Sequence, residues 1–397
     1  MRSVILVLTL TAACTGVEPP EGTSTPMKTY GDDLAFLSEH QEVIELADPS
    51  GNARVAVVAE YQGRVMTSTS GGMKGSSYGW LNREAIAAKE RKPHINVFGG
   101  EDRFWLGPEG GQYSLFFAQG DPFDLEHWQT PEPIDWGPWE VVARSASEVR
   151  FRKEIELVSY AGTKFSLEAS RVIRIVDPGA AAAEAVAYES ENTITNAGDS
   201  AWTRDTGLLS VWILGMYNPS PQTTVVIPFV AGAETELGPT VNDAYFGKVP
   251  PDRLVVGDGV LYFRGDGESR GKIGISRKRA RPVMGSYDAR GKVLTLVEYT
   301  LLADATDYVN SMWKITDAPY GGDVVNSYND GPPAPGAKPL GPFYELESSS
   351  PAAELAPGAS LTHVHRTMHL RGSEADLDAA AKKAFGVSIA DIVSVFR

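Results

Sequence analysis

Cysteine is all but missing from this chain: one, Cys14, stands among 397 residues. A single thiol excludes an internal disulfide and a cysteine metal site. Stability must come from a hydrophobic core, and 42% hydrophobic residues in a chain of this length supply a large one. Basic residues are also short, with 36 Lys and Arg against 51 Asp and Glu and a formal net charge of −15. Such a surface repels phosphate backbones and anionic lipid, which argues against nucleic acid as a partner. Long apolar runs are missing near the start: residues 4–11 reach about half of the ~20 residues that a membrane-spanning helix needs. No period repeats, and no long linker divides the chain. Helix signals are nearly confined to the two ends and to residues 82–90.

What stands at the N-terminus is an export pattern. Arg2 gives a positive n-region, residues 4–11 an apolar stretch, and Ala12-Ala13 the small residues expected before a cleavage site. The site falls at Cys14. The arrangement resembles a bacterial lipobox, with Thr11 where Leu is usual. This implies acylation of Cys14 and a lipid-anchored location at the cell envelope, on the outer membrane or its periplasmic face. Residues 1–13 are read as signal peptide and 14–29, rich in Pro, Ser, Thr and Gly, as a flexible tether.

Strand signals dominate residues 30–372. EVIELA at 42–47, RVAVVAEY at 54–61, RVMTST at 64–69, EVRFRKEIEL at 148–157, FSLEASRVIRI at 165–175 and VLTLVEYT at 293–300 are β-rich, and several alternate apolar with polar residues. The 40 glycines and 26 prolines supply the turns between them. The pattern predicts an all-β domain with large antiparallel sheets packed face to face and short terminal helices. Asp32 or Asp33 is expected to cap a helix over 34–40. Ser373-Glu-Ala-Asp376 reads as a capping box opening a helical tail over 373–397, with a second short helix over 388–396.

Three segments, in order, resemble the galactose mutarotase-like (aldose 1-epimerase) superfamily: the strand pair from Arg54 to Met66, TITNAGD at 193–199, and LAPGASLT at 355–362 with the strand after it. NVFGGEDRFWLGPEGGQ at 96–112, GDVVNSYNDG at 322–331 and GPFYELESSSP at 341–351 resemble an uncharacterised family of exported bacterial proteins within it. The resemblance implies a β-supersandwich and a carbohydrate partner, with no cofactor. Glu347 matches the strand-borne Glu that serves those epimerases as base. Their catalytic His on a central strand has no counterpart in residues 202–229.

The residue types themselves point the same way. His94, Asn96, Glu101, Arg103, Trp105, Glu109 and Gln112 crowd one segment between glycine pairs. Carboxylates and amides bind sugar hydroxyls, Arg fixes orientation, and an indole covers a ring face. Alternation puts Glu345 and Glu347 on one strand face, and paired carboxylates raise one pKa, as general acid/base chemistry requires. Glu347, Glu345 and His94 are the catalytic candidates. Asn326 and Asp330, on a loop expected to rim the cleft, and His365, which shares a strand face with His363 and His369, complete the binding set. No metal is assigned to those histidines. Ser77, within Gly75-Ser-Ser-Tyr-Gly79, lacks the α/β surroundings of a hydrolase nucleophile. Three readings stand, the first two being an enzyme acting at an anomeric or glycosidic centre and a non-catalytic glycan-binding lipoprotein. A structural envelope protein with a degenerate cleft is the third.

Overall fold

The computed structural model describes residues 28–179 and 183–397. The leader, Cys14 and nearly all of the tether lie outside the described residues. In chain order the strands are β1 Val43–Ala47, β2 Arg54–Val58, β3 Arg64–Thr69, β4 Arg103–Gly107, β5 Glu140–Arg144, β6 Glu148–Val158, β7 Lys164–Ile175, β8 Glu184–Asn196 and β9 Ser210–Tyr217. They continue as β10 Thr223–Pro228, β11 Leu254–Val256, β12 Val260–Arg264, β13 Gly271–Ser276, β14 Val283–Asp288, β15 Val293–Tyr299, β16 Asp323–Asn329, β17 Tyr344–Ser349 and β18 Ser360–Arg371.

These strands form a ten-stranded sheet (β11-β12-β10-β14-β15-β18-β8-β7-β6-β5), a five-stranded sheet (β13-β16-β17-β9-β4) and a three-stranded sheet (β1-β2-β3). All pairings within them are antiparallel. A bridge between Val65 and Asp102 ties β3 to the start of β4. The all-β, antiparallel supersandwich is therefore as expected, with the second layer divided in two.

Period-two alternation builds the core. In the five-stranded sheet Phe104, Ile213, Ile273, Val325 and Leu346 face inward and are fully buried. Phe104 and Ile213 pack with Phe151, Ile155 and Leu167 of the large sheet. Ile273, Val325 and Leu346 pack with Val225, Phe263, Met284 and Val297. Each such side chain contributes about 1.5–3 kcal/mol on burial. Their neighbours in sequence point the other way, and that face carries the site described below.

Helices close the outer faces. Glu374–Phe385 and Ile389–Ser394 lay Leu377, Ala381, Phe385, Ile389 and Ile392 over Val226, Leu294 and Leu370 of the large sheet. The first helix, Tyr30–His40, begins earlier than expected. Thr29 caps it, accepting from the Asp32 N–H, while the Asp32 carboxylate accepts from the Thr29 N–H. Asp33 instead pairs with Arg83. At Ser373 only half of the expected capping box forms: the hydroxyl accepts from the Asp376 N–H at 3.2 Å, but Asp376 takes back that hydroxyl rather than a backbone N–H. Within the tail a complete box forms at Ser388 and Asp391. Of residues 326–331, expected as a loop, 326–329 belong to strand β16, which pairs on both sides, with β13 and β17. Among the described residues no helix is long and apolar enough to cross a membrane.

Candidate active site on the five-stranded sheet

Two segments far apart in sequence meet across β9. Arg103 lies opposite Leu214, and Leu214 lies opposite Glu347. One row along, Lys272 faces Tyr328, Tyr328 faces Glu345, and Glu345 faces Met216. Directly opposed residues share a sheet face. Arg103, Leu214, Met216, Lys272, Tyr328, Glu345 and Glu347 therefore all project away from the core.

On this face lies a cleft of about 430 Å³. Trp105, Trp128, Trp212, Trp313, Tyr328 and Phe343 contribute aromatic walls. Arg103, Arg270, Lys272, Glu109, Asp330 and Glu345 contribute charge. On its floor Arg103 Nη2 donates to Glu345 Oε1 at 2.9 Å, with both side chains buried. The Arg103 guanidinium also sits 4.0 Å from the Trp105 ring, which fixes its plane.

Burial is the largest influence on Glu345. Arg103 opposes it, Glu347 adds to it, and the carboxyl is pushed up to about 8. Burial thus favours the protonated form, which still accepts from Arg103 through its carbonyl oxygen. Burial likewise raises Glu109 and Asp330. For Lys272, burial pulls down, but Glu347, Glu109 and Glu345 outweigh it and the ammonium is held above its ordinary range.

Glu347 lies beneath the cleft floor rather than on it. It is fully buried, and its Oε2 accepts from Trp212 Nε1 at 2.9 Å and from Lys272 Nζ at 3.0 Å. His94 stands at the rim, where its Nδ1 bonds the Trp128 carbonyl at 2.6 Å. A carbonyl only accepts, so Nδ1 carries the proton and a neutral ring keeps its lone pair on Nε2. Asp330 lines the cleft from the end of β16, accepting from the Tyr328 hydroxyl and the Gly341 N–H.

The other sequence candidates lie away from the cleft. Asn96 donates to Asp135 at 2.6 Å. Gln112 donates to the Thr316 carbonyl. Asn326 is held by Tyr245 and the Ile273 carbonyl, behind the cleft wall. Glu101 faces the large sheet, bonded to Ser68, Tyr188 and His369. Strict alternation would place it with Arg103, but the successive N–H groups of Glu101 and Asp102 both donate to the Val65 carbonyl, a bulge that breaks the period. His363, His365 and His369 do share one face of β18, and it is the interior one. His363 and His365 both bond the Ser348 hydroxyl at 2.8 Å, and burial pushes each ring down to about 3. Among the described residues no group of three or more His, Cys, Asp or Glu is placed to hold a metal ion. Ser77 bonds Thr67.

Sequence reasoning missed Lys272 and the walls from Trp128, Trp313 and Arg270. Lys272 carried a readable signal: it is the one charged residue of the strand Gly271–Ser276. Trp128 and Trp313 arrive on loops, and no local pattern announces where a loop will lie.

Galactose mutarotase-like structures are among those similar to this chain. The Slr1438 protein from Synechocystis sp. PCC 6803 is 14% identical, over 83% of this chain and 96% of that one, with a TM-score of 0.50. A galactose mutarotase-like protein from Lactobacillus casei ATCC 334 is 11% identical over 83% of this chain and 100% of that one, with a TM-score of 0.48. A galactose mutarotase related enzyme from Lactobacillus acidophilus is 9% identical over 84% and 98%, with a TM-score of 0.46. At such identities the likeness speaks to fold alone. No curated protein sequence matches the chain. Across residues 28–396 it matches the family of unknown function DUF6786, and the chain belongs to that family.

Proposed function

We propose that this chain is an exported protein, tethered to the bacterial envelope by lipid on Cys14, whose cleft binds carbohydrate and acts at an anomeric or glycosidic centre by general acid/base catalysis. The observation that carries the reading is the Arg103–Glu345 pair on the floor of an aromatic-walled cleft. A pyranose offers C–H faces to indoles and hydroxyls to a guanidinium and a carboxyl, and this cleft supplies both kinds of partner.

Glu345 is the proton-handling group. It reaches the cleft, and burial favours its protonated form, as a general acid toward a leaving oxygen requires. Glu347, the base by resemblance, works instead as a positioning residue: it anchors Lys272 and Trp212 and raises Glu345. His94 Nε2 is the acceptor available at the rim. Arg103 orients a hydroxyl or carboxylate, with Trp105 behind it.

The non-catalytic reading draws on one observation. The central strand β9 presents Trp212, Leu214 and Met216 to the cleft and no ionisable group. A glycan-array screen followed by product analysis separates the two. Turnover of a bound glycan that Glu345→Gln abolishes supports the enzyme. A glycan bound tightly and recovered unchanged supports the binding protein. For the anchor, Cys14→Ser should lose acylation and membrane association by intact mass and fractionation, and a variant that stays acylated would refute it.

A further inference from the structure

The cleft holds buried hydrogen-bond donors that have no partner. Arg103 is buried and spends one nitrogen on Glu345, while its Nε and Nη1 have no partner among the described residues. The Trp105 Nε1 is likewise buried and unpartnered. Two of the carboxylates are already engaged. Asp330 has an oxygen occupied by Tyr328 and the other by Gly341, and Glu345 accepts from Arg103. Buried donors left empty cost about 1–3 kcal/mol each, so a ligand rich in acceptors is favoured there.

Charge points the same way. The chain carries a net −15, yet Arg103, Arg270, Lys272 and Lys338 all line this one cleft. Lys272 is neutralised by Glu347 below. Arg270 and Lys338 form no ion pair among the described residues, and they stand toward the rim, half-buried and exposed respectively. Arg270 is stacked 3.8 Å from the Phe246 ring, so its guanidinium is held in place beside the opening. Burial, which raises Glu109, Asp330 and Glu345, weakens the opposing negative charge.

We infer that the cleft selects an anionic saccharide, a sugar bearing a carboxylate or sulfate, with Arg103 taking the anion or a ring oxygen on the floor and Arg270 and Lys338 steering the acidic chain at the rim. The inference rests on the carbohydrate reading and narrows it. Charge-assisted bonds from Arg to carboxylate or sulfate are about twice as strong as neutral ones, which makes the preference measurable.

The test titrates the full chain with three size-matched probes, an oligogalacturonate, a sulfated chondroitin oligosaccharide and a neutral cello-oligosaccharide, followed by tryptophan fluorescence and calorimetry. One or both anionic probes should bind at least about tenfold more tightly than the neutral one. Which of the two does so identifies the anion. In the double variant Arg270→Gln with Lys338→Gln, whose sites lie toward the rim, that advantage should shrink to about threefold or less. Neutral and anionic probes bound equally, or an anionic preference untouched in the double variant, would overturn the inference and leave the carbohydrate reading intact. Binding of none of the three overturns the inference, and an empty glycan array beside it removes the carbohydrate reading as well.

Discussion

Glu101 and Glu345 are both buried glutamates, and they lie on opposite sides of one layer of strands. Glu101 faces the core, where its two oxygens take bonds from the Ser68 N–H, the Ser68 hydroxyl, the Tyr188 hydroxyl and His369. Glu345 faces the cleft and takes one bond, from Arg103. Glu101 has no capacity left for a ligand and joins the three-stranded sheet to the large one. Glu345 keeps an oxygen in reserve, and burial with little hydrogen bonding drives it toward the protonated state. The number of donors around a buried carboxyl, rather than burial itself, separates a structural group from one that can move a proton.

The sharpest way to break this comparison is to remove each carboxylate in turn. Glu101→Ala strands several buried donors and should cost on the order of 4 kcal/mol in urea denaturation. Glu345→Gln, which keeps an acceptor for Arg103, should stay within about 1 kcal/mol of the parent at neutral pH or exceed it. Equal losses would mean that both glutamates are structural.

The next effect concerns turnover. Once a processed glycan is in hand, Glu345→Gln should lower kcat by about 10²- to 10⁴-fold with little change in affinity. Arg103→Ala should weaken binding itself, by about 10- to 100-fold, because a hydrogen bond from a charged group is lost, and Arg103→Lys should recover part of it. A Glu345→Gln enzyme of full activity would move the chemistry elsewhere, with His94 the first place to look.

A third effect is a slope. Glu345 is raised from 4.5 to about 8 on folding, so between those values the native state holds a proton that the unfolded state has released. Its contribution to stability is then full below about pH 4.5 and is lost as pH rises toward 8. The Glu345→Gln variant should show a flatter decline in stability over that window, read from urea midpoints. An identical slope in parent and variant would remove the case for a protonated Glu345.

Much of the sheet architecture was legible because alternation and turn residues are local. β6 reads as a half-wet strand in EVRFRKEIEL, and its burial alternates over nearly its whole length. Arg103 and Glu345 could both be named from the sequence, but nothing local tells that their strands flank β9. Alternation does not reveal which face of a strand is interior. It grouped His363, His365 and His369 correctly on one face but left open that Ser348 and Glu101 occupy that face from the opposite layer. The bulge at Glu101 and Asp102 depends on one carbonyl of β3, a contact no local pattern encodes. Lys272, the one charged residue of its strand, was visible in the sequence and passed over.

The most direct measurement is a crystal structure of the full chain with the tightest-binding oligosaccharide from the titrations. A sugar ring should lie against a cleft indole, with oxygens within hydrogen-bonding distance of Arg103 and Glu345. A saccharide seated elsewhere on the molecule, with the Arg103–Glu345 pair undisturbed and the cleft empty, would contradict this placement.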